Sequence, residues 1–275
     1  AMGPASSSVP VTGQQATLPG TLCGTYTVGP TGAYTSLTAA FAAVVTNGLN
    51  CPLVFDLQAA YVSTVETFPI VVPFMGASNV NTITVRPELG ATNLSITSAA
   101  TQTIDFNGAT NVTFDGRPGS VGVLRQLTIS NTSTIGNSIR FINDAISCGV
   151  NYVNVAGVTT GTTNGVIAFG NASATGLIGN NNCFVTNSNI TSGASSAQIL
   201  LYANNTTINT TTSGVNLANN SFSNWFNATS VTSAISITGQ HAYWTINANS
   251  FYQTATRTFT AANVNNAILI AMTPT

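Results

Sequence analysis

Charge is what this chain has least of. Only 4% of its 275 residues are charged: five arginines, six acids and no lysine. Without a basic stretch nothing can neutralise a phosphate backbone, so nucleic acid is excluded as a partner class. The same shortage removes polybasic attachment to a membrane surface. Long apolar runs are missing as well. No stretch approaches the ~20 residues that span a bilayer, and membrane insertion is not expected. A single histidine, His241, leaves no second imidazole for a metal centre and nothing on which to build a catalytic triad. Disorder is not the explanation for so little charge, because 44% of the residues are hydrophobic.

Cysteine is sparse but even in number: Cys23, Cys51, Cys148 and Cys183, with no CxxC spacing. Four-cysteine zinc sites come as close pairs, so neither a metal nor a cofactor is expected. Two disulfides of an exported protein, Cys23–Cys51 and Cys148–Cys183, are expected in preference to four free thiols. Residues 1–20, AMGPASSSVPVTGQQATLPG, lack a positive segment followed by an apolar core. They read as a cloning scar and a Pro/Ser/Gly/Thr linker ahead of a monomeric module cut from a longer chain.

What the chain does have is rhythm. Short apolar alternations recur, as in IRFIND from Ile139, VIAFGN from Val166, ILLYAN from Ile199, ISITGQ from Ile235 and ILIAMT from Ile268. Aligning Ile139, Ile167, Ile199, Ile235 and Ile268 gives steps of 28, 32, 36 and 33. A second column, Val153, Val185, Leu217 and Ile246, keeps the same period, and so does a third, Val158, Ile190, Phe222 and Phe251. A repeat of about 30 residues, built of period-2 strands with no helix between them, is the pattern of a stacked β-solenoid. Asparagine is frequent because coil corners need left-handed backbone, which Asn tolerates. Like charges stacked rung on rung would repel, so the ladder favours neutral polar side chains. A β-sandwich or jelly roll is the alternative, but it calls for hairpin turns and a less regular repeat.

Upstream, AYTSLTAAFAAVVTNG changes period. Leu37, Ala40, Phe41, Val44 and Val45 fall at helical spacing, with Thr35 or Ser36 as N-cap and Asn47-Gly48 as terminator. One amphipathic helix before a stack of strands would cover its first coil and open edge. The fold expected is therefore all-β: a right-handed parallel β-helix over residues 71–275, with a short capping helix in an N-terminal cap at residues 21–70.

The segments GTYTVGPTGAYTSLTAAFAAVVTNGLNCPLVFDL, ETFPI, VTFDG and LTISNTS, within residues 24–132, resemble the repeat regions of large secreted surface proteins of Bacteroidota. Those proteins are exported by the type IX system and resemble right-handed parallel β-helices. The resemblance implies an extracellular, cell-surface adhesin or stalk whose partners are glycans or another cell surface. It carries no catalytic residue across.

Two groups of side chains are candidates for chemistry. Asp105, Asp115, Arg117 and Arg140 form the one acidic and basic cluster that could serve a polysaccharide-cleaving groove. Calcium wants six to eight oxygens, however, and two acids fall short. The plainer expectation is that Asp105 and Arg140 face outward on successive rungs as a surface ion pair, contributing about 0–1 kcal/mol. Trp225, Tyr243, Trp244 and His241 are candidates for stacking on sugars. Among them, His241 is expected to face solvent at a corner, Trp225 to lie exposed in a loop beyond its rung, there for loop packing in preference to a ligand, and Trp244 to pack near the core or its boundary. A third reading, an ice-binding solenoid, would need threonines recurring at one strand position. They cluster instead in NTTINTTTSG, Asn205 to Gly214. The chain is expected not to be an enzyme.

Overall fold

A computed structural model describes residues 20–170, 176–205 and 211–272. The scar and linker read at residues 1–20 lie outside the described residues, Gly20 excepted. The chain winds as a parallel β-solenoid, visiting three sheets in rotation. An eight-stranded sheet runs from Leu22–Val28 through Leu49–Leu57, Ile83–Pro87, Val112–Asp115, Gly149–Asn151, Phe184–Thr186 and Asn216–Ala218 to Thr245–Asn247. A seven-stranded sheet runs from Ile70–Val72 through Gln102–Asn107, Asn137–Ile142, Ile167–Gly170, Ile199–Asn205 and Thr232–Gly239 to Asn265–Met272. A six-stranded sheet from Leu94–Ser98 to Ser250–Tyr252 completes the coil. Adjacent rungs pair in parallel, as expected of a solenoid and not of a hairpin-built sandwich. The region read as a cap supplies the helix and the first rungs of the eight-stranded sheet.

The true register corrects the three expected columns at one member each. Val150, Val185, Leu217 and Ile246 stack, so Val153 is not in that column. Val155, Ile190, Phe222 and Phe251 stack, in place of a column starting at Val158. Leu201 aligns with Ile167 and Ile235, while Ile199 lies opposite Ser233. The Ile199 error is a slip of two, after which a period-2 apolar pattern matches itself. The other two are slips of three: Val153 and Val158 lie just beyond the strands Gly149–Asn151 and Asn154–Gly157 and are buried there as Val150 and Val155 are, so hydrophobicity alone does not choose among them.

Inside, like stacks on like. Phe106, Phe141 and Phe169 lie face to face at 4.7 and 4.4 Å, and Phe222 on Phe251 at 5.3 Å. At one corner the polar interior is equally regular. Asn220 Oδ1 accepts from Ser188 N and its Nδ2 donates to Val185 O, and Asn249 repeats both bonds one coil on, with Asn220 N and Leu217 O. Among the described residues, seven of the thirteen non-glycine residues with positive φ are asparagines, which is the corner role expected of them. Gly116 is required by close approach, since a Cβ there would collide with the Tyr152 carbonyl.

The helix spans Leu37–Asn47, with Ser36 Oγ accepting from Ala39 N. It buries Leu37, Ala40, Phe41 and Val44, and Phe41 meets Phe55 and Phe114 edge-on. Val45 lies on its solvent side. Cys23 and Cys51 form the expected disulfide, where a register shift between Leu22 and Gly24 brings their Cα atoms to 5.1 Å. Cys148 and Cys183 do not; both are free and buried. They precede the paired residues Gly149 and Phe184, so they sit on neighbouring rungs at the same position. Each thiol instead turns to a corner carbonyl, Cys148 to Ile146 O at 3.3 Å and Cys183 to Ala145 O at 3.2 Å.

Candidate functional site

The register brings Asp105 opposite Arg140 on the outer face of the seven-stranded sheet, as expected. Arg140 Nε and Nη2 each donate to one carboxylate oxygen at 2.8 Å. Asp105 is far less exposed than a surface pair implies, at 2% against 26% for Arg140. Asp115 and Arg117 belong elsewhere. They close a corner after a strand of the eight-stranded sheet, with Arg117 Nε and Nη2 on the Asp115 carboxylate and its guanidinium over the Tyr152 ring. Phe106 and Phe114, one residue before or after these acids, meet across the core. The two acids therefore point out from different faces, and the four residues make no single groove.

The other acids are also occupied. Asp56 takes Arg86 Nε at 2.7 Å from the next rung. Glu66 accepts from Leu37 N, Thr38 N, Thr38 Oγ1 and Tyr61 Oη, binding the helix N-terminus where the dipole favours a carboxylate. Glu88 accepts from Ala59 N, and Asp144 from the amides of Leu177, Ile178 and Gly179. The two remaining arginines stack on rings: Arg125 over Tyr152 and Arg257 over Phe226. Among the described residues no group of three or more His, Cys, Asp or Glu could hold a metal ion. No helix among them is long and apolar enough to cross a membrane.

The aromatic candidates separate. Trp225 lies in the loop after Ser221–Ser223 as expected, but it is buried there, edge-on to Phe251 with its indole N–H unpartnered, which corrects the expected exposure. His241 is buried as well, not at the surface. Its Nε2 donates to Thr238 O at 2.9 Å, its ring stands against Trp244, and burial pushes its pKa down against the pull of nearby carbonyls. Trp244 packs against Phe169 and donates to Thr212 O, the boundary position expected. Only Tyr243 stands exposed, at 88%. Half of the threonine cluster, residues 206–210, lies outside the described residues.

One concavity was missed. On the outer face of the seven-stranded sheet Val71, Asp105, Arg140, Ala168, Tyr202, Ser236 and Leu269 form one column. Ala168, and Gly170 two residues on, leave a gap between Arg140 and Tyr202, which sit two rungs or about 9.5 Å apart. The resulting trough holds ≈ 300 Å³ and is closed at one end by Asn137, Thr163 and Asn164. The signal was present in IRF, IAF and LYA, the matching triplets of successive rungs. Placing Ile199 in the column put Leu200, not Tyr202, opposite Ala168 and hid it.

No family model and no curated protein matches the chain. Among solved structures it is similar to PfbA, a surface adhesin of Streptococcus pneumoniae, at 12% identity with a TM-score of 0.48. The match covers 80% of this chain and 55% of that one, so the chain spans about half of that structure's length. The fold assignment rests on the strand register, not on this likeness.

Proposed function

We propose that the chain is a non-catalytic module of an exported surface protein, an adhesin or structural stalk that presents a long neutral hydrogen-bonding face to glycans or another cell surface. The observation that carries this reading is the employment of all six acids in ion pairs, a helix N-terminus and corner amides. General acid–base chemistry needs paired groups free to move protons toward a substrate, and none is left over for it. The Cys23–Cys51 bond supports an oxidising compartment. The resemblance of residues 24–132 to secreted Bacteroidota repeats extends this proposal to export through the type IX system. Carbohydrate cleavage is the lesser reading, since its acids stand on different faces.

Beads coated with the protein and passed over glycan-coated and whole-cell surfaces test the role. Retention is expected, changing little between about 50 and 500 mM salt, because neutral contacts are not screened. Pectin- and alginate-like substrates are expected to show no new reducing ends or unsaturated products. Absence of retention on every surface would remove the adhesin role. Turnover abolished by Asp115→Ala would establish an enzyme instead.

A further inference from the structure

On this outer column small side chains fall between large ones at Ala168 and at Ser236, and it is at Ala168, with Gly170 beside it, that the step opens into the ≈ 300 Å³ trough. We propose that it is a subsite for one neutral hexopyranose unit of a glycan, an assignment that deepens the surface-module reading and rests on it for the source of the glycan. Size comes first. A volume of ≈ 300 Å³ is at the small end of ligand sites, which suits one ring and not an extended chain. Flat backbone over Ala168 and Gly170 forms a floor, with Arg140 and Ile142 along one side and Tyr202 and Asn204 along the other.

The donors decide the chemistry. A guanidinium has five N–H groups, and Arg140 gives two to Asp105. Three N–H groups remain, held in place because the bidentate bond fixes the plane. The same bond cancels the charge, so the trough offers directed donors without a net attraction for anions. That favours hydroxyl groups over carboxylate or phosphate. Asn164 closes the end as a preset wall: its Oδ1 accepts from Asn137 Nδ2 and Gly165 N, and its Nδ2 donates to Ile135 O. Thr163 and the Tyr202 hydroxyl add groups that both donate and accept, which matches the dual character of sugar hydroxyls.

Nuclear magnetic resonance titration of the whole chain tests the assignment, with glucose, galactose, mannose, maltose and lactose as neutral probes and glucuronate and inorganic phosphate as anions. Backbone amides of Ala168 and Gly170 and the Arg140 Nε–H should shift with at least one neutral sugar, with a Kd of about 1 mM. Glucuronate should bind no tighter than glucose. Ala168→Leu, which raises the floor, should weaken binding at least tenfold with the melting temperature unchanged. Gly170→Val asks the same question should that variant fail to fold, and the glycine has room for a Cβ, its nearest contact being Asn204 O at 3.8 Å. No shift with any neutral sugar, unchanged affinity in both filled variants, or anions binding tenfold tighter would each overturn the subsite. Bead retention that survives these failures leaves the surface-module reading standing. Lost retention with sugar still bound removes that reading and keeps the subsite.

Discussion

Substituting Arg140 by methionine separates a buried ion pair from a decorative one. An exposed pair contributes about 0–1 kcal/mol, the magnitude that the sequence alone suggests for Asp105 and Arg140. The structure changes the arithmetic, because the Asp105 side chain is only 2% exposed and takes both of its short bonds from this one guanidinium. Removing the partner of a buried charge costs about 3–5 kcal/mol. Arg140 keeps 26% of its side-chain surface in water, so screening lowers the expected loss to roughly 2–4 kcal/mol. The double variant Asp105→Val with Arg140→Met should recover most of it, since Val71 and Ala168 already occupy the neighbouring positions of that column. Urea unfolding followed both by far-ultraviolet circular dichroism and by fluorescence of Trp225 and Trp244 measures the cycle. Coincident transitions would show that the coils unfold together. A loss under about 1 kcal/mol for the single variant, or a double variant less stable than the single, would refute the reasoning.

Three further outcomes follow from the same structure. Burial pushes the Cys148 thiol up to about 12 and raises Cys183 too, so its thiolate fraction at pH 8 falls to about 10⁻⁴ and neither should react with a thiol probe until the protein unfolds. Two thiols appearing in denaturant and none before is the expected count; rapid labelling of the native protein would contradict it. His241 has a lowered pKa because burial disfavours its charged form, so below its ordinary value of about 6.5 the unfolded chain binds the extra proton first. Stability is then fully present above that pH and falls as the pH drops toward 5, a slope that His241→Gln should flatten; an unchanged slope would place the titration elsewhere. Glu66→Gln keeps the shape but removes the charge at the helix N-terminus, and should cost about 1 kcal/mol by thermal unfolding, with a wild-type melting temperature telling against the role.

The repeat was readable because short apolar strands recur at intervals of about 30 residues, so strand identity, the parallel ladder and the helical cap followed from periodicity. The exact register was not readable, because period-2 patterns carry no mark that separates Ile199 from Leu201. That ambiguity reached the chemistry. The Cys148–Cys183 separation of 35 is the register offset itself, as the pairing of Gly149 with Phe184 shows. The thiols are neighbours, yet each is oriented by a corner carbonyl that no spacing reveals. Burial of Trp225 and His241 was hidden for a related reason. Trp225 lies in the loop after Ser221–Ser223 and His241 opens the two-residue strand His241–Ala242, and beside a corner a residue faces in or out according to backbone angles that polarity patterns do not encode.

Stacking also constrains how such a surface can become selective. Every outward position meets its counterpart about 4.8 Å above and below, so a lone charge repeated down the stack would repel itself. Two of the three ion pairs obey this by placing opposite charges on adjacent rungs, at Asp56 with Arg86 and at Asp105 with Arg140. The third, Asp115 with Arg117, is confined within one corner. Charges committed in this way are spent on the ladder and cannot also select a ligand by net attraction. Size is the remaining variable. Where Ala168 interrupts a column that carries Arg140 before it and Tyr202 after it, the flat face gains a concavity without breaking a single backbone bond of the ladder. A ring filling that gap meets polar groups already held by neighbouring rungs, so little ordering cost falls on the protein. The stiffness that makes the stack uniform is therefore also what would make one shrunken rung a site.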